Sequence, residues 1–149
     1  MEPGPILICY DGSPGSNRAV DAAAELFGSR HAVVLSVGPL TTAAESMASI
    51  ASVVPGDAFE QLNESEANDR AELGAQRART AGLDAEPRST LDSPTWEGIV
   101  DVAEDIGAAV IVIGSRGLRG LKELAQGSVS HDVATHAKRP VLIVPPPAA

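Results

Sequence analysis

The chain is poor in cysteine and in long apolar runs, and each shortage excludes a class of protein. Cys9 is the only cysteine, which excludes an internal disulfide framework and a cysteine-based metal site. No run is long and apolar enough to span a bilayer, and the first residues lack the basic start and apolar core of a signal peptide. Without these signals, the sequence predicts a cytoplasmic protein.

Basic residues are also scarce: the sequence has 20 acidic residues and only 11 basic ones, so its formal net charge is −9 at pH 7. Such a surface repels phosphate backbones and anionic membranes, so neither a nucleic acid nor a membrane is expected as a partner. A small anion can still bind locally, since backbone N–H groups hold phosphate without net positive charge.

The length and the kind of apolar residue favour one folded domain over residues 1–149. Hydrophobic residues make up 44% of the 149 positions, whereas aromatic residues make up only 3%. Small and β-branched side chains suit helices that lie close to a parallel sheet. We therefore expect a single α/β core, without a linker or a second domain.

Short apolar runs mark the strands of that core. Nearly continuous runs predict strands that are covered on both faces, as in a parallel sheet. The four strongest runs are residues 6–10, 32–37, 109–113 and 141–144. A fifth, more polar run, 85–90, contains Pro87 and therefore predicts an edge strand.

Helices are predicted between these strands. Residues 13–28 and 93–107 each begin with Ser-Pro and end with Gly, which predicts a helix capped by the serine and stopped by the glycine. Residues 57–81, with an apolar stripe starting at Phe59 and Leu62, and residues 128–137 predict two more helices. The apolar positions of the two capped helices are Val20, Ala23, Leu26 and Phe27, and Trp96, Ile99, Val100, Ala103 and Ile106.

Alternating strands and helices predict an open parallel five-stranded sheet with helices on both faces. The stretch 39–56 is rich in Ala, Ser and Thr and fits either a mobile loop or a short helix over the site. In such sheets, ligands bind beyond the carboxyl ends of the strands. Asp11 follows the first strand and Gly114 follows the fourth, so both are expected to face one crevice if these strands are neighbours.

A glycine-rich segment between residues 114 and 130 is the candidate phosphate site. Glycine lets backbone N–H groups approach a phosphate closely, and a helix that opens at Gly127-Ser128 offers further N–H groups. The hydroxyls of Ser128 and Ser130 can add donors. The alternative is a surface loop in which the glycines serve only as turns and a helix cap. Neither G-x-x-x-x-G-K-[ST] nor G-x-G-x-x-G after the first strand occurs.

The spacing of this segment resembles that of a known family. Gly114, two residues, Gly117, nine residues, Gly127 and Ser128 resemble the G-2x-G-9x-G-[S/T] signature of the ATP-binding branch of the universal stress protein family. The resemblance extends to the Asp-Gly-Ser turn after residues 6–10 and to the closing helix and strand. Cys9 and Tyr10 depart from the smaller residues that often precede the aspartate.

The resemblance implies a Rossmann-like sheet in the order 3-2-1-4-5, with ATP bound between strands one and four. It places Asp11 near the ribose and phosphates, directly or through Mg²⁺, and main-chain groups of Val37 at the adenine edge. It also implies a homodimer joined through the last strand, residues 141–144. The residues implied against the nucleoside and the phosphates are Ile113 and Gly114, and Gly117, Gly127, Ser128, Val129 and Ser130.

These features predict a nucleotide-responsive regulatory or binding module of the stress response, which acts through an unidentified protein partner. No motif places a general base to activate water, so fast hydrolysis is not expected. The alternatives are slow ATP hydrolysis or self-phosphorylation at Ser128 or Ser130, binding of cyclic AMP, and a dimeric interaction protein without nucleotide. Cys9 is expected to be a buried strand residue, and His31, His131 and His136 to serve surface or packing roles.

Overall fold

The strands form one parallel sheet in the predicted order. The computed structural model describes residues 3–40, 56–115 and 129–146. The strands pair in parallel in the order β3-β2-β1-β4-β5, which confirms the order implied by the resemblance. Their bounds are β1 Ile6–Cys9, β2 His31–Gly38, β3 Asp84–Leu91, β4 Val110–Gly114 and β5 Val141–Val144.

The helices cover both faces of the sheet, as predicted. Alternate side chains of each strand point to opposite faces, so β1 places Ile6 and Ile8 in one core cluster and Leu7 and Cys9 in the other. Helices α1 and α2 pack on the first face, and α3 and α4 on the second. None of the helices in the described ranges is long and apolar enough to cross a bilayer. Their bounds are α1 Pro14–Phe27, α2 Gly56–Thr80, α3 Thr95–Ile106 and α4 Val129–His136.

The first helix begins and ends as predicted. Ser13 is its N-cap, and the hydroxyl oxygen of Ser13 accepts a hydrogen bond from the Ser16 N–H at 3.2 Å. Gly28 ends it with a φ of 67°, and its N–H donates to the Ala24 carbonyl. This capped start fixes the first turn of α1 directly after β1.

The predicted cap of α3 is wrong by one residue. Pro94, not Ser93, is the N-cap, and no side chain caps this helix. The Ser93 hydroxyl instead accepts a hydrogen bond from the Leu40 N–H at 3.3 Å. The Ser93 N–H is also engaged, since it donates to the Asp92 carboxylate at 2.8 Å. Ser93 therefore ties the end of the β2 segment to the start of α3.

Two leucines predicted for apolar helix faces are exposed instead. Leu26 of α1 is 62% exposed and Leu62 of α2 is 55% exposed. Small residues take the buried positions of α2, because this helix lies very close to the sheet. A Cβ on Gly74 would lie only 2.7 Å from the Tyr10 ring, so larger side chains have no room there. The buried alanines of α2 are Ala67, Ala71, Ala75 and Ala78.

The weak fifth run is an edge strand, as its proline predicts. β3 pairs with β2 along eight residues, longer than the predicted 85–90, and Pro87 lies opposite Val34. No strand of the described residues covers the other edge of β3. The prediction for 39–56 concerns residues that, apart from 39, 40 and 56, lie outside the described ranges.

Candidate functional site

A cleft of about 190 Å³ opens at the carboxyl ends of β1 and β4. These two strands are neighbours in the sheet, and each has its other partner on the opposite side. The chain therefore leaves the sheet in opposite directions at this point, which is where open α/β sheets form ligand crevices. A cleft therefore lies at the carboxyl ends of the first and fourth strands, where the sequence analysis predicts the ligand crevice.

One side of the cleft is an apolar wall, formed by Cys9, Leu35, Val37, Ile99 and Ile113. All five belong to or pack against the core cluster on the face covered by α3 and α4. Since they come from three strands and a helix, the wall is held by the core and not by a loop. A rigid apolar surface of this kind suits a flat, weakly polar ring.

The turn between β1 and α1 supplies much of the polar lining. The Ser13 N–H donates to the Asp11 carboxylate at 2.9 Å, and the Ser16 hydroxyl donates to the Ser13 carbonyl at 2.9 Å. Asp11 therefore holds the turn between β1 and α1. Its carboxylate is also exposed and lines the cleft, so a ligand can reach it.

Further hydroxyls come from the end of β4 and the start of α4. Ser115 follows β4, and its N–H donates to the Val144 carbonyl at 2.8 Å. Ser130, in the first turn of α4, is 7% exposed. Both line the cleft together with Val129. The polar side of the cleft thus combines one carboxylate with several hydroxyls.

Gly114 has a packing role that its motif does not reveal. A Cβ at this position would lie 2.3 Å from the Gly15 carbonyl oxygen and 2.6 Å from its carbon. Real Cβ atoms do not approach backbone this closely, so only glycine fits. The first turn of α1 consequently rests directly on the end of β4, and Gly15 and Gly114 both line the cleft.

Cys9 lies in the cleft wall as a neutral thiol. Burial, and to a smaller extent the charge of Asp11, raise the pKa of Cys9 to about 12. The thiolate is therefore scarce near neutral pH, and the group acts as a small apolar side chain. The prediction of a buried strand residue is confirmed.

Tyr10 links the cleft to two helices. Its hydroxyl donates to the Asn17 side-chain oxygen at 3.0 Å, and its ring lies against Gly74 of α2. The tyrosine that departs from the family pattern is accordingly braced from both sides while it lines the cleft.

The described residues offer little to a metal ion by themselves. No group of three or more His, Cys, Asp or Glu side chains in these ranges could hold one. Asp11 is the one carboxylate that lines the cleft within them. Mg²⁺ usually takes one or two carboxylates together with substrate phosphates and water, so this set fits an ion that arrives with a nucleotide.

The structure brings together every predicted site residue that it describes. These six residues line the cleft: Asp11, Val37, Ile113, Gly114, Val129 and Ser130. Gly117, Gly127 and Ser128 lie outside the described residues. Their contacts with a ligand stay predictions.

Sequence reasoning missed several lining residues, above all those of α3. Thr95 and Ile99 of that helix line the cleft, although neither belongs to the glycine motif. The available signal was the parallel topology, since every helix that follows a strand begins at the same edge of the sheet. The sequence predicts Leu35 as a strand residue but gives no sign that it lines the cleft.

Comparison with known proteins places the chain in one family. Residues 3–145 match the family model described as the universal stress protein family. The universal stress protein YxiE of Bacillus subtilis (strain 168) is 34% identical over 144 residues, which cover 93% of this chain and 97% of that protein.

Solved structures share the fold. The protein MJ0577 of Methanocaldococcus jannaschii has a TM-score of 0.75 at 24% identity, over 98% of both chains. A universal stress protein in complex with cAMP has a TM-score of 0.65 at 24% identity, over 98% of this chain and 100% of that chain. One from Archaeoglobus fulgidus in complex with dAMP also has a TM-score of 0.65, at 23% identity, over 97% and 99% of the two chains.

Proposed function

This chain belongs to the universal stress protein family, and from that premise we propose that its cleft binds ATP. The observation that carries the proposal is the cleft between β1 and β4, which pairs a rigid apolar wall with a turn and a helix start rich in hydroxyls. Ligand sites commonly combine apolar walls with a few placed polar groups. The nucleotide would lie with its base on the apolar wall and its phosphates toward α4.

The apolar wall supports an adenine base. Leu35, Val37 and Ile99 are aliphatic and are buried or half-buried, so they favour contact with the face of a ring over contact with water. Main-chain groups at Val37, the residue before the last of β2, are expected to meet the polar edge of the base. Two relatives of the same fold were solved with the adenine nucleotides cAMP and dAMP, which favours this base over others.

The start of α4 supports the phosphate end. The first N–H groups of a helix have no partner within the helix and attract anions. Ser130 adds a hydroxyl at this place. We expect the glycines Gly117 and Gly127 and the Ser128 hydroxyl to complete the phosphate site.

Mg²⁺ is part of the proposal as an ion shared between ATP and the protein. Asp11 would contribute the protein ligand, and the phosphates and water would contribute the others. The ion would supply positive charge to a surface whose net charge is −9, which would ease the approach of a polyphosphate.

We propose that the physiological role is regulatory, as a homodimer that reports nucleotide state to a protein partner in the cytoplasm during stress. β5 is the last strand of the sheet, and no strand of the described residues covers its outer edge. Ile143 on it is 41% exposed. An uncovered apolar edge strand favours pairing with a second copy.

The first experiment is isothermal titration of nucleotide-stripped protein with Mg-ATP. We expect micromolar binding, weakened roughly fivefold in Ser130→Ala by the loss of one hydrogen bond and abolished in Gly117→Val. Ser65→Ala, on the exposed face of α2, is the matched control and should bind like the unaltered protein. Absence of heat from folded, stripped protein would overturn ATP binding and favour the interaction protein without nucleotide.

A titration with cAMP and an assay of phosphate release separate the alternatives. Tighter binding of cAMP than of Mg-ATP would make cyclic nucleotide the ligand. Phosphate release that falls in Asp11→Asn would favour slow hydrolysis, whereas binding without release favours a regulatory module. Asp69→Asn, on the exposed face of α2, controls for the change of charge.

A further inference from the structure

We propose that the hydroxyl of Thr95 is a direct hydrogen-bond partner of the nucleobase. The inference rests on the proposed nucleotide cleft and extends it to a residue outside the glycine motif. Thr95 is the first residue of α3 and lines the cleft. Ile99 follows one turn later on the same face of the helix and is part of the apolar wall.

The first turn of α3 lies on the end of β2, because Gly98 allows a close approach. A Cβ on Gly98 would lie 3.0 Å from Asp92 Cβ and 3.1 Å from Val37 Cγ1. Contacts of this length are tighter than nearly all real ones, so a side chain here would push α3 outward. Thr95, in the same turn as Gly98, is thus held on the β2 side of the cleft, the part assigned to the base.

The Thr95 hydroxyl is available to a ligand. It makes no hydrogen bond to any group in the described part of the chain, and the residue is exposed at the cleft. A threonine hydroxyl both donates and accepts, so it can meet an exocyclic amine or a ring nitrogen. Cys9, Leu35, Val37, Ile99 and Ile113, which form the surrounding wall, offer no comparable side-chain group.

The other hydroxyls of the cleft are placed differently. Ser13 and Ser16 belong to the N-cap and first turn of α1, which packs on the opposite face of the sheet. Tyr10 packs on that face as well, and its hydroxyl is hydrogen-bonded to a side chain of α1. Ser115 follows β4, and Ser130 lies in α4, which contacts β5 whereas α3 contacts β2. Thr95 is therefore the side-chain hydroxyl on the β2 flank of the cleft, among the described residues. This separation assigns it to the base and not to the phosphates.

Thr95→Val tests the inference, since valine keeps the shape and removes the hydroxyl. We expect the Kd for Mg-ATP to rise about threefold to tenfold, the effect of one hydrogen bond. Because the contact is with the base, AMP should lose affinity by the same factor. Thr95→Ser should restore binding. Thr80→Val, at the exposed end of α2, should leave the Kd unchanged.

Each other outcome overturns the inference. An unchanged Kd in folded Thr95→Val, with normal binding by the unaltered protein, rejects Thr95 alone and leaves the proposed function intact. A loss seen with ATP but absent with AMP would place Thr95 at the phosphates. Absence of binding by the unaltered protein rejects the nucleotide cleft and the role of Thr95 together.

Discussion

The indole of Trp96 and the imidazole of His136 are stacked, with ring centroids 4.0 Å apart and planes 17° from parallel. The imidazole is further fixed by Nδ1, which lies 2.8 Å from the Asp132 carbonyl. Because a carbonyl only accepts, Nδ1 must carry the proton. The stack joins α3 to α4, the two helices that bring Thr95 and Ser130 to the cleft.

Removing this stack should loosen the two helices. His136→Ala should lower the free energy of unfolding by about 1 kcal/mol, the usual contribution of an aromatic pair. His136→Phe keeps a ring on Trp96 and should recover most of that loss. Urea unfolding measures both values. Equal stability of the alanine and phenylalanine variants would show that the stack contributes nothing.

Gly114→Ala should be among the most costly substitutions near the cleft. Its Cβ would meet the Gly15 backbone at 2.3 Å, and overpacking of this kind costs about 1–3 kcal/mol. Gly15→Ala is the comparison, since its Cβ would lie 3.2 Å from the Ser115 carbonyl oxygen, a tight contact that a shift of a few tenths of an ångström relieves. Unfolding free energies should therefore fall far more for Gly114→Ala. Similar values for the two variants would contradict the close packing of α1 on β4.

The Cys9 thiol should resist alkylation in the folded protein. Burial raises its pKa from 9.0 to about 12, so at pH 8 iodoacetamide should modify it only after unfolding. Mass spectrometry with and without urea checks this. Rapid modification of the native protein would mean that the cleft opens at Cys9.

The same pKa has a consequence at high pH. Because folding raises the pKa of the Cys9 thiol, the stability that the neutral thiol allows is fully present below pH 9.0. It is lost progressively as the pH rises toward about 12. Cys9→Val removes the titrating group, so its stability should fall less steeply over that window. If the free energy of unfolding falls equally steeply with pH in the two proteins, folding does not raise the pKa of Cys9.

Glu104 should make a small contribution that is lost in acid. The hydrogen bond from Arg139 lowers the pKa of Glu104 below 4.5. A pKa lowered by folding stabilises the protein above pH 4.5, and this effect disappears as the pH falls through the folded value. Glu104→Gln should therefore be less stable at neutral pH but equal at low pH. Asp101→Asn, exposed in the middle of the same helix, should match the unaltered protein throughout.

The outer edge of β5 should carry the proposed dimer. Ile143→Glu places a charge on that edge and should give monomers by light scattering, because burying an unpaired carboxylate is costly. Leu73→Glu changes an exposed leucine of α2, 59% exposed against 41% for Ile143, and should leave the assembly unaltered. A dimer that survives Ile143→Glu would place the interface elsewhere.

The sequence predicts the sheet better than the helix faces. Strands covered on both sides must be apolar throughout, and Ile6, Leu7 and Ile8 are indeed fully buried. A helix needs only part of its surface covered, so an apolar residue such as Leu26 can satisfy the periodicity and still face water. The cap of α3 was missed because Ser93 bonds a backbone group that is distant in the sequence.

The residues of the candidate site likewise fall into those that strand positions predict and those that depend on helix packing. Asp11 and Gly114 could be placed at the cleft because they stand at or just after the carboxyl ends of two strands that share one edge of the sheet. Thr95 could not, since its place depends on how closely α3 approaches β2 at Gly98. That distance is set by packing in three dimensions, which a motif spacing does not record.

The chain holds a single tyrosine and a single tryptophan, and both lie at the cleft or beside it. Tyr10 lines the cleft at the end of β1, whereas Trp96 follows Thr95 in α3. Excitation of the phenol can pass to the indole with an efficiency that depends on their separation. Energy transfer from Tyr10 to Trp96 could therefore report a change in the distance between the end of β1 and the start of α3, without any attached dye.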